Sequence, residues 1–137
     1  MDKLVHSSGK RKMAIARSTV KKGKGDVRIN SIPLEVFQPE LARDKIKLAL
    51  LLASDHMDLN KININVNVHG GGTMGQADAV ASSIARALVE WSESDDLLSK
   101  YQGYDRTLIA GDRRLTEPHK PSQSSKGPRH KRQKSYR

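Results

Sequence analysis

Residues 62 to 68, ININVNV, set four β-branched apolar side chains at alternate positions with asparagines between them. A period of two sends each set to its own face of a strand. The segment therefore fits only a sheet that is covered on one side and wet on the other. The run HGGGTMG follows, and then QADAVASSIARALVEW (76–91), whose apolar residues recur at the helical period. In that helix Ala77, Val80, Ile84, Ala87, Leu88 and Trp91 form the apolar stripe, and Ser82 and Arg86 are expected to point the other way. With 137 residues the chain holds one domain and a modest core.

The remaining elements are read in the same way. KRKMAIARSTV (10–20) is expected as a strand, KKGKG (21–25) as a basic turn and DVRINSIPL (26–34) as a second strand with a tight turn at Asn30-Ser31. Together they predict a hairpin with a loop of cations. In QPELARDKIKLALLLA, Pro39 and Glu40 suit the first turn of a helix, and Leu41, Ile46, Ala49, Leu50 and Ala53 supply its apolar face. SESDDLLSKY (92–101) predicts a short helix capped by Ser92 or Ser94.

The charge is segregated along the chain. Residues 1–28 carry nine Lys/Arg against two Asp, residues 29–112 seven against twelve Asp/Glu, and residues 113–137 nine against Glu117. An acidic middle between two basic ends points to a polyanionic partner. The last 25 residues combine three prolines and dense positive charge with almost no apolar side chains, so they are expected to be disordered when alone. Fully extended they reach roughly 80 Å. These features divide the chain into a domain at 1–112 and a basic tail at 113–137.

Several function classes fall away. Without cysteine there are no disulfides, zinc fingers or thiol catalysis. The opening MDKLVHSSGK lacks an apolar signal core, and LALLLA (48–53) is far too short to span a bilayer, so no membrane role and a cytoplasmic location are expected. Ser7 and Lys10 have the S-x-x-K spacing but lie near a terminus expected to fray. The five histidines show no metal-ligand spacing, and Asp95 and Asp96 suit a helix start without catalysis. Few aromatics argue against base-stacking modules, so binding should address phosphates and shape. Neutralising about eight phosphates would give a log–log salt slope near −6 to −7.

Gly70, Gly72 and Gly75 match the G-x-G-x-x-G dinucleotide fingerprint. The context does not. The preceding strand is polar on one face, no β-type run follows the helix, and no Lys-Ser/Thr pair follows Gly75. Two readings remain for the glycines: a tight strand-to-helix turn, or that turn offering backbone N–H groups to a phosphate.

Three stretches, GKRKMAIAR (9–17), GGGTMGQADAVASSIARAL (70–88) and YDRTLIAGDRRLTEPHKP with its basic tail, appear in the order found in the ribosomal protein S9 family of the small ribosomal subunit, which this chain resembles. The resemblance spans nearly the whole chain. The ending Lys134 to Arg137, and Ala81-Ser82-Ser83 where bacterial members tend to carry Arg-His-Gly, are similar to the archaeal type. The resemblance implies a two-layer α/β (α+β) domain like the second domain of ribosomal protein S5. That domain would have a four-stranded sheet, helices on one face and a left-handed β-α-β crossover, with an extended basic tail.

The resemblance also implies binding to rRNA of the subunit head, neighbouring head proteins as partners, and a tail that reaches the anticodon stem-loop of tRNA in the peptidyl site. No enzymatic activity, cofactor, metal or small-molecule substrate is expected. Combining charge map and resemblance, the rRNA contacts are expected at Lys10, Arg11, Lys12, Arg17, Lys21, Lys22, Lys24, Gly71, Gly72, Arg86, Arg113, Arg114, Lys120, Lys126, Arg129, Lys131 and Arg132. Lys134, Tyr136 and Arg137 are expected at the tRNA. The alternatives are a chromatin-like DNA-binding protein, which would share the charge map, and a nucleotide-dependent enzyme at Gly70–Gly75.

Overall fold

The computed structural model describes residues 2–118. Expectations for the tail beyond Pro118 lie outside the described residues. Among those described, a five-stranded sheet in the order β1-β2-β5-β3-β4 carries four helices. β1 (Leu4–Arg11) and β2 (Ala14–Lys22) form an antiparallel hairpin about Lys12, whose φ is 53°. β5 (Ile62–His69) lies beside β2, antiparallel to it, and runs parallel to β3 (Val27–Ile29). β4 (Ile32–Pro33) completes the edge, a position where the missing N–H of Pro33 breaks no central ladder.

β5 behaves as its alternation predicts: Ile62, Ile64, Val66 and Val68 are buried, and Asn65 and Asn67 are exposed. Two asparagines do more than face water. Asn63 accepts from the backbone N–H groups of Lys24 and Asp26, at 2.8 and 3.1 Å, and so shapes the basic turn. Asn30 exchanges two hydrogen bonds with the backbone of Val68, at 3.0 and 2.9 Å, extending the ladder beyond β3. Asn30 and Ser31 both have positive φ, 49° and 69°, as a two-residue turn of the primed type requires. The expected tight turn is there.

The expected hairpin between residues 10 and 34 is not. β2 and β3 do not pair; each pairs with β5, and a parallel β3-α1-β5 unit carries the chain between them. The run 10–20 also splits at Lys12-Met13, because the stretch before it, a terminus expected to fray, forms β1. What holds β1 is nonlocal. α2 rests directly on Gly9, where an added Cβ would overlap the Ala79 carbonyl and lie 2.7 Å from the Ser83 nitrogen. The sheet has five strands rather than four because the Asn30-Ser31 turn creates β4.

The helices are α1 (Glu40–Ser54), α2 (Thr73–Ser92), α3 (Asp95–Tyr104) and α4 (Thr107–Ala110). α2 lies across β1 and β2, with α1 beside it. The core joins Val20, Ile64 and Val66 of the sheet to Ile46, Val80, Ile84 and Leu88 of the helices. Tyr101 locks α3 to α1 by donating to the Ala49 carbonyl at 2.6 Å; burial pushes its hydroxyl above the usual phenol range. Ser94 caps α3, accepting from the Leu97 N–H.

Two helix phases need correction. Leu41 is 65% exposed, and Ala42 takes the buried place in the first turn of α1. On α2, Ser82 is buried and Arg86 half-buried, because α4 covers that side: Ser82 Oγ donates to the Leu108 carbonyl and Arg86 Nε to that of Ile109, at 2.9 and 2.7 Å. No helix among the described residues is long and apolar enough to cross a membrane.

Candidate nucleic-acid interface

The side of the sheet away from the helices is open. Strand alternation and register bring His6, Ser8 and Lys10 of β1, Arg17, Thr19 and Lys21 of β2, Arg28 of β3, and Asn65, Asn67 and His69 of β5 to this face. No carboxylate occupies an outward position on β1, β2 or β5. Asp26, just before β3, is held by Arg28 Nε at 2.7 Å. Most of the acids lie on α1, α2 and α3 or just beyond their ends, which gives the molecule a cationic sheet face and an acidic helix layer.

Where the end of β1 meets α2, α4 and the segment after α4, a cleft opens that shares Lys10 with that face. Lys10, Lys12, Arg86, Arg106, Arg113 and Arg114 line about 750 Å³ of space, with Asp112 the one carboxylate in its walls. Among the described residues the side chains of Lys10, Lys12, Arg106 and Arg113 have no hydrogen-bond or ion-pair partner. The others are engaged. Arg86 donates to the carbonyls of Ile109 and Ser8, and Arg114 donates to both oxygens of Asp112. Arg11 points to the helix side of β1, paired with Asp112 and 3.8 Å from Asp78. Hydrogen bonds from Arg114 and the nearby Arg11 charge hold the Asp112 carboxyl well below the usual range.

The glycine loop adjoins this end of the sheet. Gly70 and Gly71 have φ of +75° and +65°, and a Cβ on Gly70 would overlap the Met13 carbonyl of the β1–β2 turn. At Gly72 a Cβ would meet open space, and no side chain caps the first turn of α2 there. A helix N-terminus with free N–H groups favours an anion. The dinucleotide fingerprint fails structurally as well as in sequence: among the described residues α2 is followed by α3, and no strand follows.

The expected contact residues fall into separate groups. Lys10, Lys12, Gly71, Gly72, Arg86, Arg113 and Arg114 gather at the cleft end, and Arg17 lies mid-face. Lys21, Lys22 and Lys24 sit at the opposite end of β2, about 25 Å away at 3.3 Å per residue. Lys120, Lys126, Arg129, Lys131, Arg132, Lys134, Tyr136 and Arg137 lie outside the described residues. Two cations escaped the sequence reading. Arg28 reaches the open face only through the pairing of β3 with β5. Arg106 is set at the cleft by Asp105, which accepts from both the N–H and the hydroxyl of Thr107 at the start of α4.

The model of the family described as ribosomal protein S9/S16 matches residues 9–137. Small ribosomal subunit protein uS9 of Methanococcus maripaludis is 49% identical over 135 residues, covering 98% of this chain and 99% of the relative. The protein of the same name in Methanococcus vannielii is 47% identical over the same lengths.

Proposed function

The chain belongs to the ribosomal protein S9/S16 family, in its archaeal form, and from that premise we propose how it works in the small subunit. It is a ribosomal protein of the small subunit and not an enzyme. In this reading it is a structural constituent that binds rRNA of the subunit head in cytoplasmic ribosomes and packs beside other head proteins. The domain has the fold of the second domain of ribosomal protein S5, with the β3-α1-β5 unit as its left-handed crossover.

The observation that carries the reading is the cleft with four unpaired cationic side chains, sharing Lys10 with a sheet face whose strands β1, β2 and β5 carry no carboxylate. Lysine and arginine heads there exchange condensed counterions for phosphates, which is how affinity for RNA backbone arises. The Gly72 end of α2 lets a phosphate approach N–H groups without a side chain in the way. Beyond Arg113 and Arg114 of the cleft, residues 115–137 carry seven more cations, the last of them Arg137. The tail gains charge-assisted contacts as it orders on RNA, and Arg137, supported by Lys134 and Tyr136, meets a phosphate of peptidyl-site tRNA through its planar fork.

Deletion of residues 134–137 tests the tail. Subunits reconstituted with the shortened protein should incorporate it at near-normal levels and bind peptidyl-site tRNA more weakly. Unchanged tRNA affinity would sink that assignment. Failure of the full protein to sediment with small subunits through a moderate-salt wash would overturn the rRNA reading itself.

A further inference from the structure

The chain leaves α4 through Gly111, whose φ is +81°, and is held to the body on both sides of that residue. Upstream, Ser82 and Arg86 bind the carbonyls of Leu108 and Ile109, and Arg86 also binds that of Ser8 in β1, at 2.8 Å. Downstream, Asp112 is shared by two guanidinium groups. It pairs with Arg11 of β1, and it accepts from Arg114 Nε at 3.0 Å, Arg114 Nη2 at 2.6 Å and the Arg114 backbone N–H at 3.0 Å. The Arg11 and Asp112 side chains are only 18% and 13% exposed, whereas Arg114 is 77% exposed.

A mostly buried arginine needs an anion, so Arg11 anchors Asp112 to the sheet. An anchored Asp112 then fixes the next two residues through its contacts to Arg114. We propose that Asp112 is a positioning residue: by bridging Arg11 to Arg114 it sets the direction in which residues 113–118 leave the cleft. The same bridge withdraws two cations from the phosphate-binding set. The consequence for RNA rests on the functional reading above; the direction of departure does not.

The chain has no cysteine, so two exposed positions, Lys47→Cys in α1 and Leu115→Cys beyond the bridge, can carry a unique pair of spin labels. Distances are measured on the full chain without RNA. The parent should give one narrow distribution. Asp112→Asn keeps an acceptor for the Arg114 N–H but removes the charge, and should widen the distribution about twofold as the segment samples other directions. Asp112→Glu, which keeps the carboxylate, should recover most of the narrowness.

Should Asp112→Asn not fold, Arg114→Gln removes the outer half of the bridge at an exposed site and should widen the distribution likewise. A parent distribution that is already broad overturns the proposal. So does one that stays narrow in every folded variant, or a failure of Asp112→Glu to narrow it again. In a separate arm, Asp112→Asn should steepen the salt slope of binding to a generic RNA hairpin by about 1.5, since two cations lose their internal anion. An unchanged slope, with widened distances, would leave the orientation standing and count against the RNA reading of the cleft.

Discussion

At the residue scale, the glycines of HGGGTMG differ in what they do, and the spacing motif hid the difference. Gly70 and Gly71 are needed for conformation, since both lie in the left-handed region against the Met13-Ala14 backbone. Gly70→Ala should lose about 1–3 kcal/mol from backbone strain alone. Gly72→Ala should lose about 1 kcal/mol or less, the modest preference of a helix N-cap for glycine over alanine. Urea unfolding of the two variants checks the order, and equal losses would contradict it. Asp112 gives a pH prediction. Its carboxyl titrates lower folded than unfolded, so as pH falls the unfolded chain takes up its proton first. The stabilisation is thus fully present at neutral pH and is lost below the ordinary Asp value of about 3.9. Asp55, Asp58 and Glu93, held down by Lys100, Lys61 and Lys3, share that direction, so the parent must be compared with Asp112→Asn. The gap between their melting temperatures should be widest near neutrality and shrink below pH about 4; a gap that grows on acidification contradicts the sign.

At the scale of elements, α1 shows how a helix can be found and still be set at the wrong angle. Its span follows from apolar period and a proline-led start, but counting Leu41 with the buried face turned the first residues outward from where they belong. Leu41→Gln should therefore change stability by no more than about 0.5 kcal/mol, as at other exposed sites. Ala42→Gln forces a longer polar side chain into a fully buried place and should cost more than about 2 kcal/mol, through overpacking and desolvation. Thermal melts of both variants decide the phase. The same distinction explains what could be read from the chain. β5, the Ser94 cap and the Asn30-Ser31 turn were legible because alternation, a capping hydroxyl and turn residues act within a few positions. β1 was not, because its order comes from β2 and from α2 resting on Gly9, and the outward placing of Ser82 and Arg86 failed because α4 was invisible to a periodicity count. Of the interface, the cations were legible and their grouping was not: that β3 pairs with β5 and not β2 is a nonlocal choice.

For the whole molecule, the length of β2 decides how RNA can be held: the cations form two patches, with Lys10, Lys12, Arg106 and Arg113 at the cleft and Lys21, Lys22 and Lys24 at the far end of β2. Patches about 25 Å apart are beyond the screening length of about 8 Å at physiological salt, so each meets its own phosphates. Replacing the four cleft residues by alanine should flatten the log–log salt slope of rRNA binding by about 3, at 0.7–0.9 per contact. Replacing the three at the far end should flatten it by about 2. The two losses should add in the combined variant, because sites this far apart with no shared partner act independently. A filter-binding titration with a head-domain rRNA fragment between 50 and 300 mM salt measures all three. If the far-end variant leaves the slope untouched, RNA engages the cleft alone, and the open face of the sheet is left for a protein neighbour. If the losses fail to add, a single stretch of RNA must bridge both ends, and the sheet face between them, with Arg17 at its middle, becomes the continuous floor of the interface.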